Sequence, residues 1–170
     1  MKKITLLVAF IIAYVMLGCT KTEVVSNTTD NDTISEVFEL KNVNFAYNNV
    51  DGYNIYRTLN PNIYASDVVL IYRLSGTINS NTPIWQLIPR TLYLTQGELD
   101  YDFDFSKQDF TIYAGGNYNL ALTPSYLNNQ TFRIVIVPGY FSNKVAVDYS
   151  DYHAVIKAFN INDTNVKSLN

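Results

Sequence analysis

One cysteine, one histidine, 7 glycines and 5 prolines stand among the 170 residues, and each shortage excludes something. A single cysteine builds neither a disulfide framework nor a thiolate zinc site. One histidine removes most acid–base and metal-ligand arrangements, and no G-x-G-x-x-G follows a strand, so no cofactor is expected. The glycine content is far below that of a collagen repeat, and no repeat of fixed period runs through the chain. Positive charge is scarce as well. The 12 basic residues against 15 acidic ones give −3, which leaves no basic surface to neutralise phosphates and no footprint for nucleic acid. What is abundant is apolar and aromatic side chains, 48% and 14% of the chain, enough for one folded domain.

The apolar residues are first spent at the N-terminus. Lys2 and Lys3 precede an apolar run from Ile4 to Leu17, and Gly18-Cys19 follows. This is the basic, apolar and small-residue order of a secretory signal, and the run is shorter than the roughly 20 residues of a membrane-spanning helix. The only cysteine stands directly after it. Met16-Leu17-Gly18-Cys19 resembles the lipobox of bacterial lipoproteins. That resemblance implies cleavage before Cys19, diacylglycerol on its thiol and acylation of the new amine, so that the membrane is reached through a lipid anchor. Two or three acyl chains hold a protein stably where one does so marginally. Loss of Lys2 and Lys3 leaves 10 basic residues against 15 acidic, or −5. Such a domain is repelled by anionic head groups.

The sequence divides further on. Residues 19–35 are rich in Thr, Asn, Ser and Asp and read as the lipidated cysteine and a flexible tether. Within them Asp32-Thr33-Ile34 resembles the O-glycosylation motif of Bacteroidota, which marks Thr33 as the acceptor; the same residues also serve as an ordinary turn into the first strand. From residue 36 to 162 the pattern has period two. Val43–Tyr47, Tyr53–Tyr56, Val68–Leu74, Trp85–Ile88, Leu92–Leu94, Leu99–Phe105, Phe110–Tyr113, Tyr118–Leu122 and Thr131–Val137 read as strands. Phe38 and Leu40 have the opposite parity to Val43 and Phe45, which asks for a bulge near Lys41-Asn42. Pro89 marks an edge or a bulge. Pro124 to Gln130 holds a helical turn. Tyr152, Val155, Ile156 and Phe159 space themselves as one face of a short helix from Ser150 to Phe159, with Ser150 as its N-cap. The expected fold is all-β, an antiparallel β-sandwich of seven to nine strands with one short C-terminal helix, and residues 163–170 form a polar tail.

Taken together, Val69-Leu70-Ile71-Tyr72-Arg73-Leu74, Trp85-Gln86-Leu87-Ile88-Pro89, Asp100-Tyr101-Asp102-Phe103-Asp104-Phe105 and Val147-Asp148-Tyr149-Ser150-Asp151-Tyr152-His153 resemble a family of small, flavobacterial-type Bacteroidota lipoproteins with a C-terminal β-rich domain. The resemblance spans about residues 1 to 162. It implies a place, the cell envelope and its outer membrane, and brings no activity with it.

Candidate chemistry is sparse. Asp100, Asp102 and Asp104 form the one carboxylate cluster and are the candidate metal ligands. Same-face residues on a strand stand roughly 6.7 Å apart, so the outer pair is about 13 Å apart, too far to share one calcium ion. A solvated face opposite Tyr101, Phe103 and Phe105 is therefore expected. His153 lies beside Ser150 and Asp151 on one helix with no nucleophile elbow, and it reads as structural. Arg57, Arg73, Arg90 and Arg133 read as solvent-facing partners for acids. Tyr126, Tyr140, Phe141 and Tyr149, with Tyr152, lie in or beside loops and are the candidate binding surface. The expectation is a non-enzymatic envelope protein with a structural or protein-contact role; the alternative is a module that binds glycan or a small ligand.

Overall fold

The computed structural model describes residues 35–142 and 146–169. The signal segment, Cys19, Thr33 and the tether as far as residue 34 lie outside the described residues. Ten strands build two five-stranded sheets. The first sheet has the order β10-β1-β9-β4-β5, from Lys167–Ser168, Glu36–Val43, Gln130–Val137, Val68–Ile78 and Thr82–Ile88. The second has the order β2-β3-β8-β7-β6, from Ala46–Asn48, Gly52–Thr58, Asp109–Gly116, Gly97–Phe105 and Arg90–Leu94. All pairings are antiparallel except β1 with β10. The β-sandwich expected from the alternation is formed; the strand expected at Val43–Tyr47 is divided, with Val43 closing β1 and Ala46–Asn48 forming β2, and the two-residue β10 is announced by no periodicity.

The chain changes sheet four times, and local chemistry explains the crossings. The β1–β9 register shifts between Leu40 and Val43, where Asn42 takes a left-handed φ of 55°. This is the bulge that the parity change requires. Beyond it the chain leaves the first sheet, buries Phe45 and enters the second. Pro89 separates β5 from β6, each the edge of its own sheet, so its missing N–H removes no ladder bond between neighbours. Tyr118–Leu122 is not a strand. The Asn119 side chain accepts from the Ala121 N–H and starts a 3-10 turn over Leu120–Leu122, an Asn cap overriding apolar alternation. Pro124–Tyr126 forms a second such turn.

The core between the sheets is contributed by alternate residues: Leu40, Ile71, Phe132 and Ile134 from the first sheet face Ile55, Leu99, Tyr101 and Ile112 from the second. The first sheet has a second buried face. Val37, Leu70, Tyr72, Val135 and Val137 pack against Tyr152 and Val155 of a helix over Tyr152–Ala158 and against its C-cap Phe159; this helix, here α2, follows the one-turn α1 of Gly139–Ser142. The helical stripe expected at Tyr152, Val155, Ile156 and Phe159 thus faces inward. Its cap differs, because Asp151 and not Ser150 accepts from the Ala154 N–H at 3.1 Å. Nor does the chain trail off after residue 162: Asp163 binds Arg133, β10 pairs with β1, and Leu169 N–H donates to Glu39. No helix among the described residues is long and apolar enough to cross a membrane.

Candidate functional site

The outward face of the second sheet is assembled by register. Tyr56 lies beside Thr111 and Thr111 beside Asp104; Asn54 beside Tyr113 and Tyr113 beside Asp102; Asp100 beside Thr91. Alternation along β7 puts Glu98, Asp100, Asp102 and Asp104 on this face and Leu99 and Tyr101 in the core. The outward positions of these strands carry no Lys or Arg, since Arg57 and Arg90 have the inward parity. The carboxylates are held one by one. Thr91 hydroxyl donates to Asp100 at 2.6 Å, Tyr113 hydroxyl to Asp104 at 2.9 Å and Tyr56 hydroxyl to Asp109 at 3.0 Å, while Asp102 accepts from the Phe103 N–H at 2.8 Å. The bond to Asp109 raises the Tyr56 phenol above its ordinary value. Partial burial does the same for Tyr113, with Asp104 adding to it. Among the described residues no three His, Cys, Asp or Glu side chains converge as metal ligands, and the three aspartates of β7 meet three different partners.

His153 is exposed on α2, with the Tyr152 ring 5.4 Å from its own. Ser150 does not face it: its hydroxyl donates to Asp148 at 2.7 Å and its N–H to the same carboxylate, which holds Asp148 below the usual carboxylate range. Asp151 is occupied as the helix cap. Each of the three neighbours therefore has a local task, and they are not brought into a nucleophile–base arrangement.

Comparison with protein-family models, with curated proteins and with solved structures finds no match to this chain.

The four loop aromatics do not gather. Tyr126 is half-buried against the core between the sheets, whereas Phe141 and Tyr149 pack on the outer cluster under α2. Tyr140 is 61% exposed and meets the Phe141 ring edge-on at 5.2 Å. Tyr152 is buried. The tyrosines that do share a surface are Tyr56 and Tyr113, on adjacent strands of the second sheet, with Tyr93 80% exposed on its edge. Parity with Asp102 and Asp104 was the available signal for them.

Three arginines also depart from expectation. Arg57 pairs with the buried Phe110 and meets a backbone carbonyl, that of Tyr56, with its guanidinium at 2.8 Å. Arg73 is buried between the sheets, where Nε donates to Gln130 at 2.8 Å and the guanidinium stands 4.7 Å from the Tyr101 ring and 5.7 Å from that of Tyr126. Ring faces and an amide oxygen replace a carboxylate there. Burial pushes the Tyr101 phenol up to about 12, with Arg73 pulling against it. Arg133 does find acids, Glu39 at 3.2 Å and Asp163 at 3.0 Å, but largely withdrawn from solvent, between the Trp85 and Tyr152 rings. Burial works against its charge, and Tyr152 and Glu39 outweigh that and hold the guanidinium above its ordinary value. This cluster ties α2 and the C-terminal segment to the first sheet.

Proposed function

We propose that this chain is a lipid-anchored protein of the bacterial cell envelope, attached through Cys19 to the outer membrane, whose folded domain makes protein contacts and does no chemistry. The single observation that carries the contact role is the difference between the two outer faces. Helix α2 and the C-terminal segment cover that of the first sheet, while the second presents Tyr56, Tyr93 and Tyr113 among unneutralised carboxylates. Tyrosine gives a rigid ring with a polar tip, the side chain most used at contact surfaces. A run of carboxylates without Lys or Arg favours a partner that supplies them. The resemblance to Bacteroidota lipoproteins supports the placement.

Crosslinking on intact cells, with mass-spectrometric identification of partners, tests the reading. Adducts are expected on the outward face of the second sheet, and they should disappear in a Tyr56→Ser/Tyr113→Ser variant that folds normally. Adducts confined to glycan would replace the protein partner by the alternative ligand. Membrane attachment that survives Cys19→Ala would overturn the anchor.

A further inference from the structure

The sandwich is open at the end where β1 begins. A cavity of about 440 Å³ lies there, within the size range of small-ligand sites. Phe38 and Ile136 of the first sheet form its floor, together with Leu59, Ile63 and Leu169. Leu59 and Ile136 belong to the core between the sheets, and the other three pack against it. The floor is thus a window onto the core. Its apolar surface stays wet at a cost of about 25 cal/mol per Å².

The walls are built. Leu59 and Ile63 N–H groups donate to Gln108 and Lys107 at 2.6 and 2.9 Å, which ties residues 59–63 to the β7–β8 turn. Asp67 accepts from the Tyr64 and Gly139 N–H groups and ties the following loop to α1. Pro61 and Pro138 stand on the wall with φ held by their rings. Polar groups occur at the rim, where Asn60 and Asn62 are exposed and Lys167 lies 3.6 Å from Glu36. The one lysine is matched by a carboxylate, so the rim has no surplus positive charge for a phosphate. The floor is mostly aliphatic, which suits an alkyl chain better than a sugar ring.

We propose that this opening is a lipid site that takes one acyl chain of a bilayer lipid with a neutral ester or amide linkage, as in an acylglycerol. The site is separate from the contact surface and rests on the membrane-anchored reading only for its source of lipid. Glu36 lines the cavity and follows the tether, which spans at most roughly 55 Å back to Cys19, so this end of the domain is the one held to the bilayer. The occupant proposed is a free bilayer lipid, because each anchor chain left in the membrane adds about 0.8 kcal/mol per CH₂ to the protein's attachment; the Cys19→Ala chain tests that choice.

The test is photolabelling of the full chain in membranes with a monoacylglycerol that carries a diazirine in its acyl chain. Adducts are expected on peptides containing residues 59–64 or 167–169, and excess monooleoylglycerol should abolish them. Ile63→Glu and Leu169→Glu put a carboxylate against the alkyl chain, and each should lower the yield at least about tenfold. Leu169→Met should keep it. Leu169 lies at the fold's margin, so its variants stay folded, as a thermal melt will report. Labelling spread over α2 or the second sheet, no labelling, or yields unchanged in both Glu variants would overturn the site. The Cys19→Ala chain, labelled in detergent, separates the sources. Retained labelling supports a bilayer lipid, and loss of labelling from a folded chain assigns the adduct to the anchor and overturns the proposal. If that chain stays in the membrane but still labels, the anchor fails and the site stands.

Discussion

The two sheets have five strands each and opposite fates. The first is buried on both faces, by the second sheet on one side and by α2 on the other, and the second sheet is buried on one. The strands record this difference in their residues. In β9, seven of the eight residues are buried, and β4 has five buried in succession from Val69 to Arg73. In β7 burial alternates, with Leu99 and Tyr101 inside and Asp102 and Asp104 in solvent. A strand that meets apolar partners on both sides has no use for polar alternation, whereas one facing water needs it. The doubly covered sheet is therefore where stability is concentrated, and the singly covered one keeps a face that no described element packs on.

That contrast can be broken at graded cost. Ile134→Ala, at a fully buried position shared by both sheets, is expected to lower stability by about 2–5 kcal/mol in urea unfolding. Next comes Arg133→Ala, which strands Glu39 and Asp163 around a missing cation and leaves Asp163 only the Tyr152 hydroxyl as a donor. A loss of about 2–4 kcal/mol is expected, with only partial recovery in Arg133→Lys because an ammonium lacks the planar fork. Arg73→Met should cost less than Arg133→Ala, since no carboxylate is left behind in the core. A larger loss at Arg73 would show the interior cation to be the stronger tie.

Alkaline unfolding sharpens the same comparison. Burial raises the Tyr101 phenol from 10.0 to about 12, so the folded state holds this proton more tightly than the unfolded one. Its contribution is complete below pH 10, declines as pH rises towards 12 and amounts to about 2–3 kcal/mol. Urea midpoints measured from pH 9 to 12 should fall over that window, and less steeply in Tyr101→Phe. Gly139→Ala tests how tightly α1 sits on the loop before β4, since a Cβ there would meet the Ser66 carbonyl oxygen. The expected loss is about 1–3 kcal/mol. The smallest effect belongs to the bare face, where Asp102→Asn should shift stability by no more than about 0.5 kcal/mol. A larger shift would mean that the outward carboxylates support the fold.

Much of the architecture was legible along the chain. The seven alternating residues Leu99–Phe105 mark β7, the apolar run from Val68 marks a strand, and the parity change around Lys41-Asn42 marks a bulge. Other features were not. Tyr118–Leu122 has strand composition and becomes a turn because Asn119 caps it. The last residues read as a polar tail because Lys167 and Ser168 are polar, yet backbone pairing with β1 asks nothing of side chains. Arg73 was read as solvent-facing by its charge, although its parity with Val69 and Ile71 already placed it inside.

The loop aromatics show the same limit. Tyr126, Tyr140, Phe141 and Tyr149 lie in or beside loops, and loops are where exposure concentrates. Their dispersal over the inner core, the outer core and α1 follows from which ends of which strands those loops join. That is a property of strand order.

By itself the sequence determined the periods: two in the strands, three to four in α2, and the change of parity that sends the chain from one sheet to the other. These are local, because each depends on neighbours within a few residues and on which of them avoid water. Only the tertiary structure decided which face of which sheet is covered, that Arg133 meets Glu39 and Asp163 from opposite ends of the domain, and that the sandwich stays open beside β1. Such outcomes depend on residues about a hundred positions apart coming into register, and no periodicity encodes that meeting.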